Sequence, residues 1–198
     1  MKTYTKTTIT TEPRLKITYE EDPESPREWS NLGYFITQDR NYYSPDKHEE
    51  LQELVKECGE SATSQADHIK TIEMNWNKVM HKDNKILAIY PVVKYEHSGV
   101  AYRLGTIHGF DYSNNGFYII TEQTQKEVGT EEKDFEKVIK DEIDIYNKYV
   151  NGEVYRFMLF TKDGELEDSC GGFYDIEDIR SYLPKEWEAE DLTEYVIW

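Results

Sequence analysis

The sequence predicts an α+β fold, a single domain with a mainly antiparallel sheet covered by about three main helices. Two observations carry that prediction. Runs such as RLKITY (14–19) alternate apolar and polar residues as a half-buried strand does, and Asp163-Gly164 stands between two such runs as a two-residue hairpin signal. Three longer stretches instead repeat apolar residues three and four apart, which lines up one face of a helix.

Taken in order, RLKITY is the first strand and GYFITQD (33–39) the second. Ser44 is suited to cap a helix, Pro45 to its first position and Gly59 to the left-handed position after its last turn. Leu51, Leu54, Val55 and Cys58 share one face of that helix. A second helix spans Thr63 to His81, with a stripe of Ile69, Ile72, Trp76, Val79 and Met80. KILAIYPVVKYEH (85–97) is a strand whose Pro91 lacks a ladder donor, so an edge position or a bulge is expected. VAYRLGTI (100–107) and FYIIT (117–121) are further strands, with Asn114, Asn115 and Gly116 read as their connection. The third helix runs from Glu131 to Val150, buries Phe135, Val138, Ile139, Tyr146, Tyr149 and Val150, and stops at Asn151-Gly152. After the hairpin come a short helix near 175–182 and an acidic tail holding Trp187 and Trp198. Residues 1–13 and 188–198 are expected to be loosely ordered.

The formal net charge is −17, and residues 163–198 alone hold 12 acids against 2 bases. Such a charge repels nucleic-acid phosphates and anionic membranes and attracts a protein with a basic surface. Aromatic residues make up 14% of the chain, which argues for a packed core in spite of the charge. There is no apolar run of spanning length and no apolar segment near the N-terminus, and Cys58 and Cys170 read as reduced thiols. A cytoplasmic location follows as the expectation.

No chemistry stands out. The five histidines show no metal-ligand spacing, so no metal and no cofactor is expected. His97, Ser98 and Gly99 read as a turn at a strand end, because neighbouring strand residues point to opposite faces. Cys170 lies among Glu167, Asp168 and Asp175, whose charge opposes thiolate formation, so it reads as a small core residue beside Gly171 and Gly172. The acidic groups at 20–24 and 163–168 lack calcium-loop spacing. No catalytic residue is assigned.

Three blocks, EDPESPREWSNLG (21–33), PVVKYEHSGVA (91–101) and YNKYVNGEVYRF…DSCGGFY (146–174), occur in this order. Together they resemble an uncharacterised family of bacteriophages, archaeal viruses and mobile elements, over about residues 15–180. Gly171 stands where that family usually has an aromatic residue, and 104–116 lacks its Cys-Pro-Trp-like segment. The resemblance implies a viral setting more than a chemistry.

Within the first block, Pro23 and Pro26 stiffen the backbone, Arg27 is suited to pair with a carboxylate, Trp29 to bury against the sheet, and Gly33 to end the turn. The preferred functional expectation is an acidic protein of the host-cell cytoplasm that binds and modulates a host or viral protein, as an anti-defence inhibitor or DNA mimic. Its candidate partner-binding residues are Glu20, Glu21, Asp22, Glu24, Glu186, Glu188, Glu190 and Asp191, with Trp187, Tyr195 and Trp198 as apolar anchors. Direct contact with nucleic acid or membrane is not expected. Alternatives are a metal-dependent or small-molecule-binding enzyme using His97 and His108, and a virion assembly protein.

Overall fold

The computed structural model describes residues 14–38 and 43–197, except the side chains of Val79 and Met80. The expectations resting on those two side chains, on residues 1–13 and on Trp198 lie outside the described residues. In chain order the elements are β1 (Leu15–Tyr19), β2 (Tyr34–Thr37), α1 (Glu49–Ser61), α2 (Gln65–Asn75), β3 (Ile86–Glu96), β4 (Val100–Leu104), β5 (Tyr112–Thr121), α3 (Glu122–Val128), α4 (Phe135–Val150), β6 (Tyr155–Phe160) and β7 (Leu166–Phe173). Short 3-10 turns and one π turn occupy several connections. The α+β class and the antiparallel pairing follow the prediction, in two sheets rather than one. The chain forms two compact units, residues 24–151 and the segments on either side of them.

In the unit 24–151 the strand order is β2-β5-β3-β4, all antiparallel. Period-two alternation feeds both faces of this sheet. Phe35, Tyr118 and Ile120 meet Phe135, Ile139, Ile143 and Tyr146 of α4. Ile36, Phe117 and Ile119 meet Leu51, Leu54, Val55 and Cys58 of α1 and Ile72 of α2. Trp76 is 1% exposed and donates its indole N–H to the Asn84 carbonyl at 2.7 Å.

Several boundaries differ from expectation. Helix α1 begins at Glu49 and is capped by His48, whose Nδ1 accepts from the Leu51 amide at 3.3 Å. Ser44 instead accepts from the Thr37 amide at 3.1 Å, so its hydroxyl serves strand β2. Gly59 lies inside α1. Asn114, Asn115 and Gly116 are part of β5 rather than a connection. Their side-chain amides reach neighbouring backbone, Asn114 at Ile107 and Asn115 at the Gln38 carbonyl, so the strand tolerates them. A Cβ on Gly116 would lie 2.8 Å from the Val92 carbonyl oxygen, which explains the glycine. Helix α3 was not foreseen; it has seven residues and little apolar pattern, and a Thr121–Thr124 capping box starts it.

Pro91 lies in an inner strand, yet its physical requirement is met. Residue pairing between β3 and β4 ends at Val92–Leu104, and the Pro91 carbonyl accepts from Gly105 at 2.8 Å. In an extended strand the N and O of one residue point to the same side. The missing donor therefore faces the place where β4 has already turned away, and β3 also shows a register shift between Val92 and Lys94.

In the other unit the order is β1-β6-β7. Leu15, Ile17, Phe157 and Leu159 pack on Ile179, Trp187 and Leu192, which belong to short 3-10 turns between 176 and 195. The Asp163-Gly164 hairpin is present between β6 and β7, with Gly164 at φ 86°. Segment 188–197 is tied down: Leu192 is fully buried, and the Ile197 amide donates to the Ile17 carbonyl at 2.8 Å.

At the outer edge of each sheet, side chains or chain segments take some of the outward backbone groups. On β2, Asp46 accepts from the Phe35 amide and Ser44 from Thr37. On β4, Asn147 and Asn151 take the backbone of Tyr102 and Val100. On β7, Asp168 accepts from Ser169 and Glu20 from Gly172, while β1 meets Val196. Carboxylates and register shifts on β7 are the devices that keep an edge from pairing with another chain.

Candidate functional site

The loop that opens the unit 24–151 is organised around Arg27. Ser25 accepts from the Arg27 amide at 3.2 Å and Pro26, which is buried, starts a single 3-10 turn at Pro26–Glu28. The Arg27 side chain is 4% exposed and all five of its N–H donors are used. Nε and Nη2 grip Asp46 at 3.0 and 2.7 Å, and Nη2 also reaches the Gly33 carbonyl at 2.7 Å. Nη1 donates to Asn31 Oδ1 and Glu142 Oε2, each at 3.0 Å. The acceptors have further donors of their own. Glu142 accepts from the Leu32 amide at 2.9 Å and from the Tyr118 hydroxyl, and that hydroxyl accepts from the Gly33 amide at 3.0 Å. A Cβ on Gly33 would lie 2.4 Å from the Ile119 carbonyl oxygen, so this close approach requires glycine.

Burial alone would push the guanidinium pKa down; the hydrogen bond and charge of Asp46, then Tyr118 and Glu142, hold it above the ordinary arginine value. Burial, then the charge of Glu142, pushes the Tyr118 hydroxyl well above an ordinary tyrosine. The cluster spans 115 residues of sequence between Arg27 and Glu142 and fixes the loop to the sheet and to α4.

Trp29 does not bury against the sheet as expected; it is 46% exposed. Pro26 and Leu32 fill the apolar positions of the loop, which leaves the indole at the surface. It borders an open cleft of about 360 Å³ whose walls include Glu28, Tyr34, Lys47, His48 and Glu127. Tyr34 meets His48 edge-on with ring centroids 4.6 Å apart. The Tyr34 hydroxyl is pushed above its usual pKa by burial, then by the charges of Glu127 and Asp46.

The second set of expected residues lies in the other unit. Arg180 donates to Glu177 at 2.8 and 3.0 Å and also to the carbonyl oxygens of Trp187, Glu188 and Glu190 at 2.9, 3.1 and 3.1 Å. That clamp gives the acidic segment a fixed path. Several of the acids proposed for partner binding hold internal bonds. Glu20 accepts from Gly172, Glu186 from Arg14 at 2.8 Å, Glu190 from Tyr195 at 3.3 Å, and Asp191 from Thr193. The side chains of Glu177, Asp178, Glu188 and Glu194 are exposed, as are those of Glu21 and Asp22. Glu24, in the unit 24–151, is exposed as well.

Trp187 is not a surface anchor. It is 7% exposed and packs in the core of its unit, with Tyr195 edge-on at 5.2 Å. Cys170 is exposed rather than a core residue, because β7 is an edge strand from which only Phe173 reaches the core. Gly172 has φ 83° at the irregular end of β7. His97 lies in the tight turn between β3 and β4, its amide bonded to the Gly99 carbonyl at 3.3 Å and its ring 3.9 Å from Asp111. Gly99 lies against Asn151. His108 is exposed. Among the described residues no group of three or more His, Cys, Asp or Glu side chains is gathered for a metal ion, and no helix is long and apolar enough to cross a membrane.

Sequence reading missed Asp46, Tyr118 and Glu142. None lies in a recognisable motif, and only the fold brings them to Arg27.

No family model, curated protein or solved structure matches the chain. What the fold and the sites define is an α+β protein with a braced aromatic loop in one unit and an ordered acidic segment in the other.

Proposed function

We propose that the chain is a non-catalytic binding protein that engages and modulates a partner protein through that partner's basic surface. The observation that carries this reading is the Arg180 clamp. A loose acidic tail would lose conformational entropy on docking. Here three backbone carbonyls are already held, and Leu192 and Trp187 are already buried, while Asp178, Glu188 and Glu194 remain exposed. Preorganised charge of one sign raises association rate and selects basic partners. On the edges of the larger sheet, side chains already occupy backbone groups of β2 and β4, which favours recognition by side chains over strand addition there. In the viral setting that the sequence resemblance implies, the fitting partner is a host or viral nucleic-acid-binding protein, and occupation of its basic groove would inhibit it.

The test uses the triple variant Asp178→Asn, Glu188→Gln, Glu194→Gln, which spares the acids with internal bonds. A partner captured from the native host is purified and its association rate is measured over a salt series. The parent rate should fall as the Debye length shortens to about 8 Å at physiological ionic strength. The variant should associate more slowly with little change in dissociation. Equal rates for parent and variant at every salt concentration would refute the reading.

A further inference from the structure

The cleft beside Trp29 has a charge and shape that call for a particular group. Arg27 faces two carboxylates, Asp46 and Glu142, so the buried cluster behind the cleft carries one negative charge more than it neutralises. Glu28 and Glu127 add two more at the rim and Lys47 removes one, which leaves two negative charges in excess. Burial, and then the charges of Glu127 and Asp46, raise the pKa of the Tyr34 hydroxyl. The half-exposed indole of Trp29 lines the same cleft, on a loop that the five bonds of Arg27 keep from collapsing. An aromatic face in a negative field is the arrangement that binds an organic cation. A planar guanidinium stacks on indole and sheds water more readily than an ammonium.

We infer that this cleft receives an arginine side chain of the partner protein, with its guanidinium against Trp29 and its charge toward Glu28 and Glu127. The inference rests on the proposed reading in taking the partner to be a basic protein, and it adds a second, independent point of contact in the unit 24–151. Trp29 then serves as the aromatic anchor that buried Trp187 cannot provide.

The probe is the blocked tripeptide acetyl-Gly-Arg-Gly-amide, compared with the same peptide carrying neutral, near-isosteric citrulline. The readout is the Trp29 indole N–H resonance of the full ¹⁵N-labelled chain, assigned by its loss in Trp29→Ala. The arginine peptide should shift that resonance saturably in the millimolar range, and the citrulline peptide should not. Glu28→Gln with Glu127→Gln should weaken binding about tenfold, as the loss of a cation's favourable field predicts. The Asp178, Glu188, Glu194 variant should bind the peptide as the parent does, so failure of the acidic-segment reading leaves this result intact. Equal shifts from the two peptides, a shift that does not saturate, or loss of the shift in that tail variant would overturn the inference.

Discussion

Asn147 in the last turn of α4 and Asn151, which caps the C-terminus of that helix, hold Tyr102 and Val100, two residues apart on β4, through the same pair of hydrogen bonds. Each side-chain oxygen accepts from the backbone amide, at 2.7 Å for Tyr102 and 3.1 Å for Val100. Each side-chain nitrogen donates to the same residue's carbonyl, at 3.0 and 2.7 Å. The spacing works because four helical residues rise about 6 Å and two strand residues about 6.8 Å. The two amides act as a substitute strand and seal the edge.

Asn147→Ala should therefore destabilise the protein by about 1–3 kcal/mol, since it strands a donor and an acceptor of Tyr102. Hydrogen exchange at the Tyr102 amide should quicken more than at amides of β5. Unchanged exchange at Tyr102 would show that the bond contributes nothing.

Arg27→Lys should be severely destabilising, by about 3–5 kcal/mol, because an ammonium cannot satisfy two partly buried carboxylates and two carbonyl-type acceptors at once. Urea denaturation gives the comparison. A midpoint equal to the parent's would mean that water replaces the fork without cost.

Trp29→Ala should change stability by no more than about 1 kcal/mol, as for a surface position. Trp76→Ala, at a 1% exposed site, should cost about 3–5 kcal/mol. Thermal melts of the two variants side by side test the reversal of the sequence expectation for Trp29.

Alkaline stability should depend on Tyr118 and Tyr146. Burial raises both, Tyr146 to about 12 with help from Tyr149 and Asp46. A raised folded pKa means that the stabilisation is complete below the unfolded value, about 10, and is lost as pH rises through the folded value. Unfolding free energy should thus decline above about pH 10, and Tyr118→Phe should lessen the decline at the expense of the Gly33 and Glu142 bonds. A flat profile between pH 9 and 11, taken as approximate bounds around the free tyrosine pKa, would contradict the buried assignment.

Arg180→Leu should loosen residues 185–195 by releasing three carbonyls. Limited proteolysis should cut there first, while sheet amides of the unit 24–151 keep their exchange rates. Resistance equal to the parent's would show that Leu192 and Trp187 alone hold the segment.

Local pattern carried much of the fold. Alternation placed β1, a strongly apolar run marked β3, the hairpin at Asp163-Gly164 was evident, and the stripe Phe135, Ile139, Tyr146 marked α4, because pattern and turn chemistry are properties of neighbouring residues. Arg27's need for a carboxylate was also legible, as a buried guanidinium cannot stay unpaired. Which carboxylates would answer it was not, since Asp46 and Glu142 are 19 and 115 residues away and only β2 and α4 bring them together. The same holds for the tryptophans. Composition makes Trp29 and Trp187 equally apolar, but the buried Pro26 and Leu32 of the loop leave Trp29 at 46% exposure, while the Arg180 clamp and the β1-β6 face enclose Trp187 at 7%. Burial depends on what the rest of the chain places overhead, and that is decided by tertiary packing.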